Sequence, residues 1–283
     1  MMTTTLRPSS AETSTPDGGR SRDFAVCVNG RPVGGLQLSG GREPGLRAGR
    51  ISGLTIRQGE RGRGRGTVAA LAAEEVLRSW GCVRVDAELV EDSDTPSALR
   101  FAGALGYQVR SRNMAKTLPA EPPALPEGVR PRVIDDEEYP TWLARASAGH
   151  VESLIGAGLR EEDARARSES DHRTLLPAGP HTPGTVLRWL EADGVRVGAL
   201  WVALIWAQHP DGRDLAWVFD VEVLPDHRGR GHGRSLMLLA ERECLAAGVG
   251  HLGLNVFADN VPANALYRSL GYETYRTTVF KYL

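Results

Sequence analysis

The chain has 283 residues, enough for one large domain or two of ordinary size, and its 41% hydrophobic content can fill a core. A formal net charge of -1 argues against nucleic acid or an anionic membrane as the main partner. No apolar run approaches the length of a membrane helix, and the polar start of the chain lacks an apolar signal core, so a cytoplasmic protein with no membrane role is expected.

Residues 1–21 are rich in Ser, Thr, Pro and Gly and read as a disordered tail. Strands follow near 24–28, 33–38 and 51–56, with Cys27 filling the first. Arg61-Gly62-Arg63-Gly64-Arg65-Gly66 then opens an apolar-periodic helix, and a strand and Leu105-Gly106-Tyr107 come after it. The prolines of 119–127 cannot continue a helix or a central strand and read as a semi-rigid linker. Beyond it come a short strand at 129–134, helices at 139–159 and 161–176, and strands at 186–190 and 195–206 around the turn Asp193-Gly194. A strand at 215–223 leads into Arg228-Gly229-Arg230-Gly231-His232-Gly233, a helix at 234–247, a strand at 251–256, a helix at 261–270 and a last strand through 277–282.

Two stretches repeat one order of signals. From loop Arg to final Tyr the spacing is 46 positions in Arg61–Tyr107 and 44 in Arg228–Tyr272. That indicates an internal duplication: a shortened domain over 22–118, without room for the opening strand and two helices of the other copy, and a complete one over 128–283. Cys27, Cys82 and Cys244 have no metal, redox or disulfide spacing, and His150, His172 and His181 suggest no metal site. The basic residues are nearly all Arg, with Lys only at Lys116 and Lys281, which reads as a coding bias rather than chemistry.

A strand, a glycine loop and a helix start bring backbone N–H groups to one point, where a phosphate can bind. Arg228, Arg230 and Arg234 can add charge at its rim. The loop is not a P-loop, since no Gly-Lys-Ser/Thr follows, and glycines at 229, 231 and 233 do not make a dinucleotide fingerprint. Asp220 and Glu222 stand two apart on one strand and so share a face, where either can take a proton. The bland readings are solvated carboxylates, a buried phenol at Tyr267 and a simple helix cap at Asn260.

The run from Asp220 through Gly233, with Asn255-Val256-Phe257 and Asn260-x-x-Ala263-x-x-Leu266-Tyr267-x-x-Leu270-Gly271-Tyr272 behind it, resembles the GNAT superfamily of N-acetyltransferases. The resemblance spans 128–283 and, in shortened form, 22–118, as in tandem GNAT proteins. It implies a mixed α/β fold: two GNAT-like domains, each with a mostly antiparallel sheet splayed in the middle and flanked by helices, the first truncated. It implies acetyl-CoA as acyl donor, bound at the pyrophosphate by Arg228, Gly229, Arg230, Gly231, His232, Gly233 and Arg234. It places backbone groups of Val221 and Val223 along the pantetheine arm and Asn255 and Asn260 on the cofactor side of the cleft. Tyr267 takes the position of the acid for the departing thiolate, and Asp220 or Glu222 that of the base. In the first copy Gly53, Thr55, Val90, Thr95 and Ala102 stand at the positions of Asp220, Glu222, Asn255, Asn260 and Tyr267, so a non-catalytic domain is expected there.

The acceptor is read as a primary amine of a small molecule, attacking directly in a ternary complex near 139–176 and the hairpin of Trp201, Trp206 and Trp217. The tryptophans are either an apolar wall or core. A CoA-binding regulatory module without turnover and a protein N-acetyltransferase remain as alternatives, and nothing in the sequence gives the oligomeric state.

Overall fold

The computed structural model describes residues 3–14, 18–41 and 47–283, and they gather into two compact units. One holds the chain as far as Arg110, the short segment Gly158–Asp163 and the final Thr277–Leu283; the other holds Ser111–Ala157 and Ala164–Arg276. No helix among the described residues is long and apolar enough to cross a membrane.

In the first unit the strands are β1 (Thr4–Pro8), β2 (Thr13–Ser14), β3 (Arg20–Val28), β4 (Arg31–Gly40), β5 (Ala48–Ile56) and β6 (Arg84–Val90). Helix α1 (Arg65–Ser79) connects β5 to β6, and α2 (Thr95–Ala104) follows. The sheet runs β1-β3-β4-β5-β6 and is completed by the end of β13 (Glu273–Tyr282). Only β5 and β6 are parallel within this run, because only they are joined by a crossover helix. Alternate strand residues Phe24, Val26, Leu36 and Leu38 meet Leu77 of α1, Val85 and Val279 in one core.

In the second unit, β8 (Val129–Val133) leads to helices α3 (Tyr139–Gly156) and α4 (Glu161–Leu175). Strands β9 (Thr185–Ala192), β10 (Val195–Gln208) and β11 (Asp214–Val223) follow, then α5 (His232–Ala246), β12 (His251–Phe257) and α6 (Val261–Ser269). The order is β8-β9-β10-β11-β12-β7, where β7 (Gln108–Thr117) enters from the first half of the sequence and pairs antiparallel with all of β12. Helix α5 presents Leu236, Leu239, Ala240 and Cys244 at helical spacing to Val186, Leu190, Leu200 and Val218 on one face. The other face packs Leu187, Trp189 and Trp201 against Trp142 of α3 and Leu176.

Each sheet is therefore mixed and mostly antiparallel, with flanking helices, as the sequence implies. Two features differ. Residues 1–21 are not wholly an unstructured tail, because Thr4–Pro8 pairs in register with Phe24–Val28. This strand occupies in the first unit the edge that β8 occupies in the second, so the first copy does have an opening strand and lacks only the two helices. The unit boundaries also depart from 22–118 and 128–283, since Ser111–Leu118 counts with the second unit and Thr277–Leu283 with the first. The proline-rich 119–127 carries no strand or helix, and Arg242 donates to the Pro123 carbonyl at 3.0 Å.

Candidate active site

In the second unit β11 and β12 are parallel partners only at Ala216↔Leu252, Trp217↔Gly253 and Val218↔Leu254. Gly253 is fixed there by contact, since a Cβ would meet the Trp217 ring at 2.8 Å. Beyond Val218 no ladder pair joins the two strands, and the backbone of Phe219–Glu222 on that edge has no partner in β12. On its other edge β11 stays paired with β10, through a register shift: Val202 faces Val218, but Trp201 faces Asp220. Phe219 is the extra residue of a β-bulge. The bulge turns Asp220 and Glu222 to the α3 side and Val221 and Val223 toward the α5 core.

The loop closing this cleft has Gly229 at φ 75 and Gly231 at φ 85, the latter as N-cap of α5. Such φ values favour glycine and turn the loop sharply into the helix. The first amides of α5 have no carbonyls of their own helix to bond, so the helix start can receive an anion. Arg228 folds back, its Nε donating to the Val223 carbonyl at 3.2 Å, which ties the loop to the strand and occupies a carbonyl assigned above to the pantetheine arm. Arg234 Nη2 donates to Ser269 Oγ at 2.6 Å, and Arg230 is exposed. His232 meets His227 at 6.3 Å between ring centroids; burial, with the charges of His227 and Arg230, lowers its pKa and so favours the neutral ring.

The two carboxylates differ in surroundings. Glu222 accepts two bonds from Arg145 of α3, at 2.6 and 3.2 Å. Asp220 has no cation within ion-pair reach among the described residues and accepts a bond from the Val221 backbone. Burial, reinforced by the charge of Glu222, pushes its pKa up to about 7. Tyr267, in α6, is half-buried, and burial together with the charge of Asp220 pushes its phenol up to about 12. Asp220 and Tyr267 thus share one electrostatic environment.

Asn260 caps α6, its side-chain oxygen accepting from Ala263 N at 3.2 Å. Asn255 is bonded to Asn113 Oδ1 at 2.6 Å and to Ser111 Oγ at 3.2 Å, both on β7. Sequence reasoning missed Asn264, which is buried and donates to the carbonyls of Phe257 and Asn260 at 2.8 Å, fixing the turn between β12 and α6. Its signal was a polar residue on the apolar stripe of a short helix. It also missed Arg145, to which no motif points.

Trp201 is buried, stacks on His172 at 5.6 Å and lies 4.7 Å from Phe219. Trp206 is 51% exposed against the same Phe219, while Trp217 lies apart on Gly253. Helices α3 and α4 line an open cleft of about 720 Å³ with Tyr139, Ser147, Val151, Arg165 and His172 on its walls.

Comparison with known proteins gives the family. The model of the acetyltransferase (GNAT) family matches twice, over residues 5–107 and 150–272. This chain belongs to the GNAT family. It is an N-acetyltransferase with acetyl-CoA as its acyl donor. Curated relatives include the mycothiol acetyltransferases of Saccharomonospora viridis, 32% identical over 81% of this chain and 72% of the relative, and of Thermobispora bispora, 34% identical over 80% and 73%. The fold is shared with a GCN5-related N-acetyltransferase from Sphaerobacter thermophilus, at a TM-score of 0.55 and 21% identity over 92% of this chain and 80% of that one. The cleft described above fits the GNAT donor: parted strands for an extended arm and a glycine-turned helix start for a pyrophosphate.

Both GNAT copies keep this frame. In the first unit β5 and β6 pair only from Ala48↔Arg84 to Ile51↔Ala87, Gly62 and Gly64 both have φ 71, and Arg61 Nε donates to the Ile56 carbonyl at 2.9 Å. A cleft of about 980 Å³ lies there, lined by Gly53, Thr55, Gly62, Gly64 and Phe101 among others. The backbone bond Tyr272 N to Tyr267 O, 3.0 Å, has its counterpart in Tyr107 N to Ala102 O, also 3.0 Å, so no hydroxyl stands at the Tyr267 position.

Proposed function

We propose that this chain acetylates a primary amine of a small molecule, with the chemistry in the second GNAT copy, Asp220 as base and Tyr267 as donor to the departing sulfur. The observation that carries this is Asp220 itself, at a bulge beside the parted strands, without a cation and with its pKa near 7. A base poised near the working pH combines availability with driving force. Glu222 is held by Arg145 and is assigned to shaping the site. The relatives named mycothiol acetyltransferase support a small-molecule acceptor of that kind. The aromatic run Trp206–Phe219–Trp201 and the cleft between α3 and α4 support its approach from the α3 side.

Acetyl-CoA supplies the acetyl group as a thioester. The amides of Gly229–Gly233 hold its pyrophosphate, and the open edge of β11 holds its arm and offers an N–H to the carbonyl oxygen as charge develops. Asp220 takes a proton from the amine. That proton cancels the negative charge that helps Tyr267 retain its own, so the phenol becomes a stronger donor toward the sulfur as the amine becomes a nucleophile. A phenol near 12 is too weak an acid to give its proton fully to a thiolate of about 8.5, so Tyr267 acts as a hydrogen-bond donor.

The test is thiol release from acetyl-CoA over a panel of primary amines, with Asp220→Asn, Glu222→Gln and Tyr267→Phe alongside wild type. Turnover that falls in Asp220→Asn and Tyr267→Phe and survives in Glu222→Gln supports the assignment. Full activity in Asp220→Asn sinks it.

A further inference from the structure

Lysine occurs twice in this arginine-rich chain, at Lys116 on β7 and Lys281 on β13. Each stands nine positions after the tyrosine of a Leu-Gly-Tyr signal, Tyr107 and Tyr272. Lys116 Nζ donates to both carboxylate oxygens of Glu241, at 2.8 and 2.9 Å, and lies 5.7 Å from the Tyr272 ring centroid. Lys281 Nζ donates to Glu74 at 2.8 Å and lies 5.6 Å from the Tyr107 ring centroid. Glu74 and Glu241 are each 1% exposed, and each stands eight positions after the last glycine of its loop, Gly66 or Gly233. Each unit thus contains one glutamate–lysine–tyrosine cluster. In each, the glutamate and tyrosine come from one copy and the lysine from the last strand of the other. The two lysines are not a residue of coding bias. A carboxylate this deeply buried stays ionised at low cost only when a cation or hydrogen-bond donors sit on it.

In the second unit the cluster reaches the candidate site. The Tyr272 hydroxyl donates to Glu241 Oε1 at 3.3 Å, its amide bonds the Tyr267 carbonyl at 3.0 Å, and its ring meets the Tyr267 ring edge-on at 6.1 Å. In the first unit the same amide bond ends on Ala102, where there is no phenol to place.

We propose that Lys116 is a positioning residue for acetyl transfer, which through Glu241 and Tyr272 sets the ring of Tyr267 against the sulfur. A strand from the first copy thereby completes the machinery of the second. The lysine neutralises Glu241, which can then stay buried and accept the Tyr272 hydroxyl. Without the ammonium the carboxylate must take a proton or turn to water, and Tyr272 loses its anchor. The inference rests on Tyr267 as donor to the sulfur.

The duplication supplies the control. Lys116→Met and Lys281→Met remove lysines at matching positions, although Glu74 keeps Arg78 at 4.0 Å, and only the Lys116 cluster touches the ring of Tyr267. In the full chain, with acetyl-CoA and the amine of highest turnover in the panel above, both variants should lower the melting temperature. Lys116→Met should lower kcat at least tenfold with KM for acetyl-CoA unchanged, and Lys281→Met should keep kcat within twofold. The double variant Lys116→Met/Glu241→Leu leaves neither a bare buried carboxylate nor an acceptor for the Tyr272 hydroxyl and so guards against a misfolded single variant; it should fold and show the same kcat loss. Equal kcat in the two lysine variants, or wild-type kcat in the double variant, overturns the proposal. Tyr267→Phe separates the two readings. If it is fully active, the assignment of Tyr267 fails and this proposal with it; if it is impaired while Lys116→Met is not, this proposal alone fails.

Discussion

Asp220→Asn should make the protein less active and more stable at once. The carboxylate has an ordinary value of 3.8 and sits near 7 in the fold. The gap of about three pH units, at ~1.4 kcal/mol each, is a burden of ~4 kcal/mol on the ionised folded protein. Asp220 is only half-buried, so water and relaxation reduce the expected gain to ~1–3 kcal/mol. Because the folded value is raised, the protonated form is the one the fold favours. That contribution is complete below pH 3.8 and is lost as pH rises through about 7. The asparagine variant should therefore gain over wild type at pH 8.5 in denaturant titration, and the gain should shrink toward zero at pH 4. In the same variant kcat/KM should fall by ~10²–10⁴, the usual worth of a positioned base, and the acid limb of the wild-type profile near pH 7 should vanish. Equal stability at pH 8.5, with an acid limb still near 7 in the variant, would show that Asp220 neither carries this burial cost nor acts as the base.

Tyr267→Phe should cut kcat by ~10–100-fold with KM for acetyl-CoA little changed, and wild type should show no alkaline limb from this phenol below pH 10, read from steady-state profiles. Glu222→Gln breaks a partly exposed pair with Arg145 and should cost at most ~1 kcal/mol in denaturant titration, with kcat within tenfold of wild type. Gly231→Ala puts a side chain at φ 85; it should cost ~1 kcal/mol or more of stability and raise KM for acetyl-CoA several-fold, while kcat at saturation holds.

The sequence made much of this site legible because its signals are local. Glycine spacing, strand alternation in 215–223 and the paired turn signals place β11, the loop and α5 without tertiary information. The rest depended on partners. Thr4–Pro8 looks like a tail because Thr, Arg and Pro form no apolar alternation; it is a strand because β3 offers it an edge. That β7 would pair with β12 is invisible to a duplication argument, which finds equivalent strands but not their neighbours. A two-residue spacing does not separate Asp220 from Glu222, and the preference proposed for Asp220 comes from the fold. It turns on Arg145, 75 positions before Asp220 and 77 before Glu222, which the fold brings to one carboxylate and not the other. Asn260 could be read as cofactor ligand or cap, and the 3.2 Å bond from Ala263 uses its oxygen as a cap.

Acetyl transfer is proposed to take place in the second copy. Electron density from crystals grown with acetyl-CoA tests it most directly. Density is expected with the pyrophosphate on Gly229–Gly233, the arm between β11 and β12, and the sulfur approaching Tyr267. Density at the Arg61–Gly66 loop alone, with the cleft beside Asp220 empty at saturating acetyl-CoA, would contradict it.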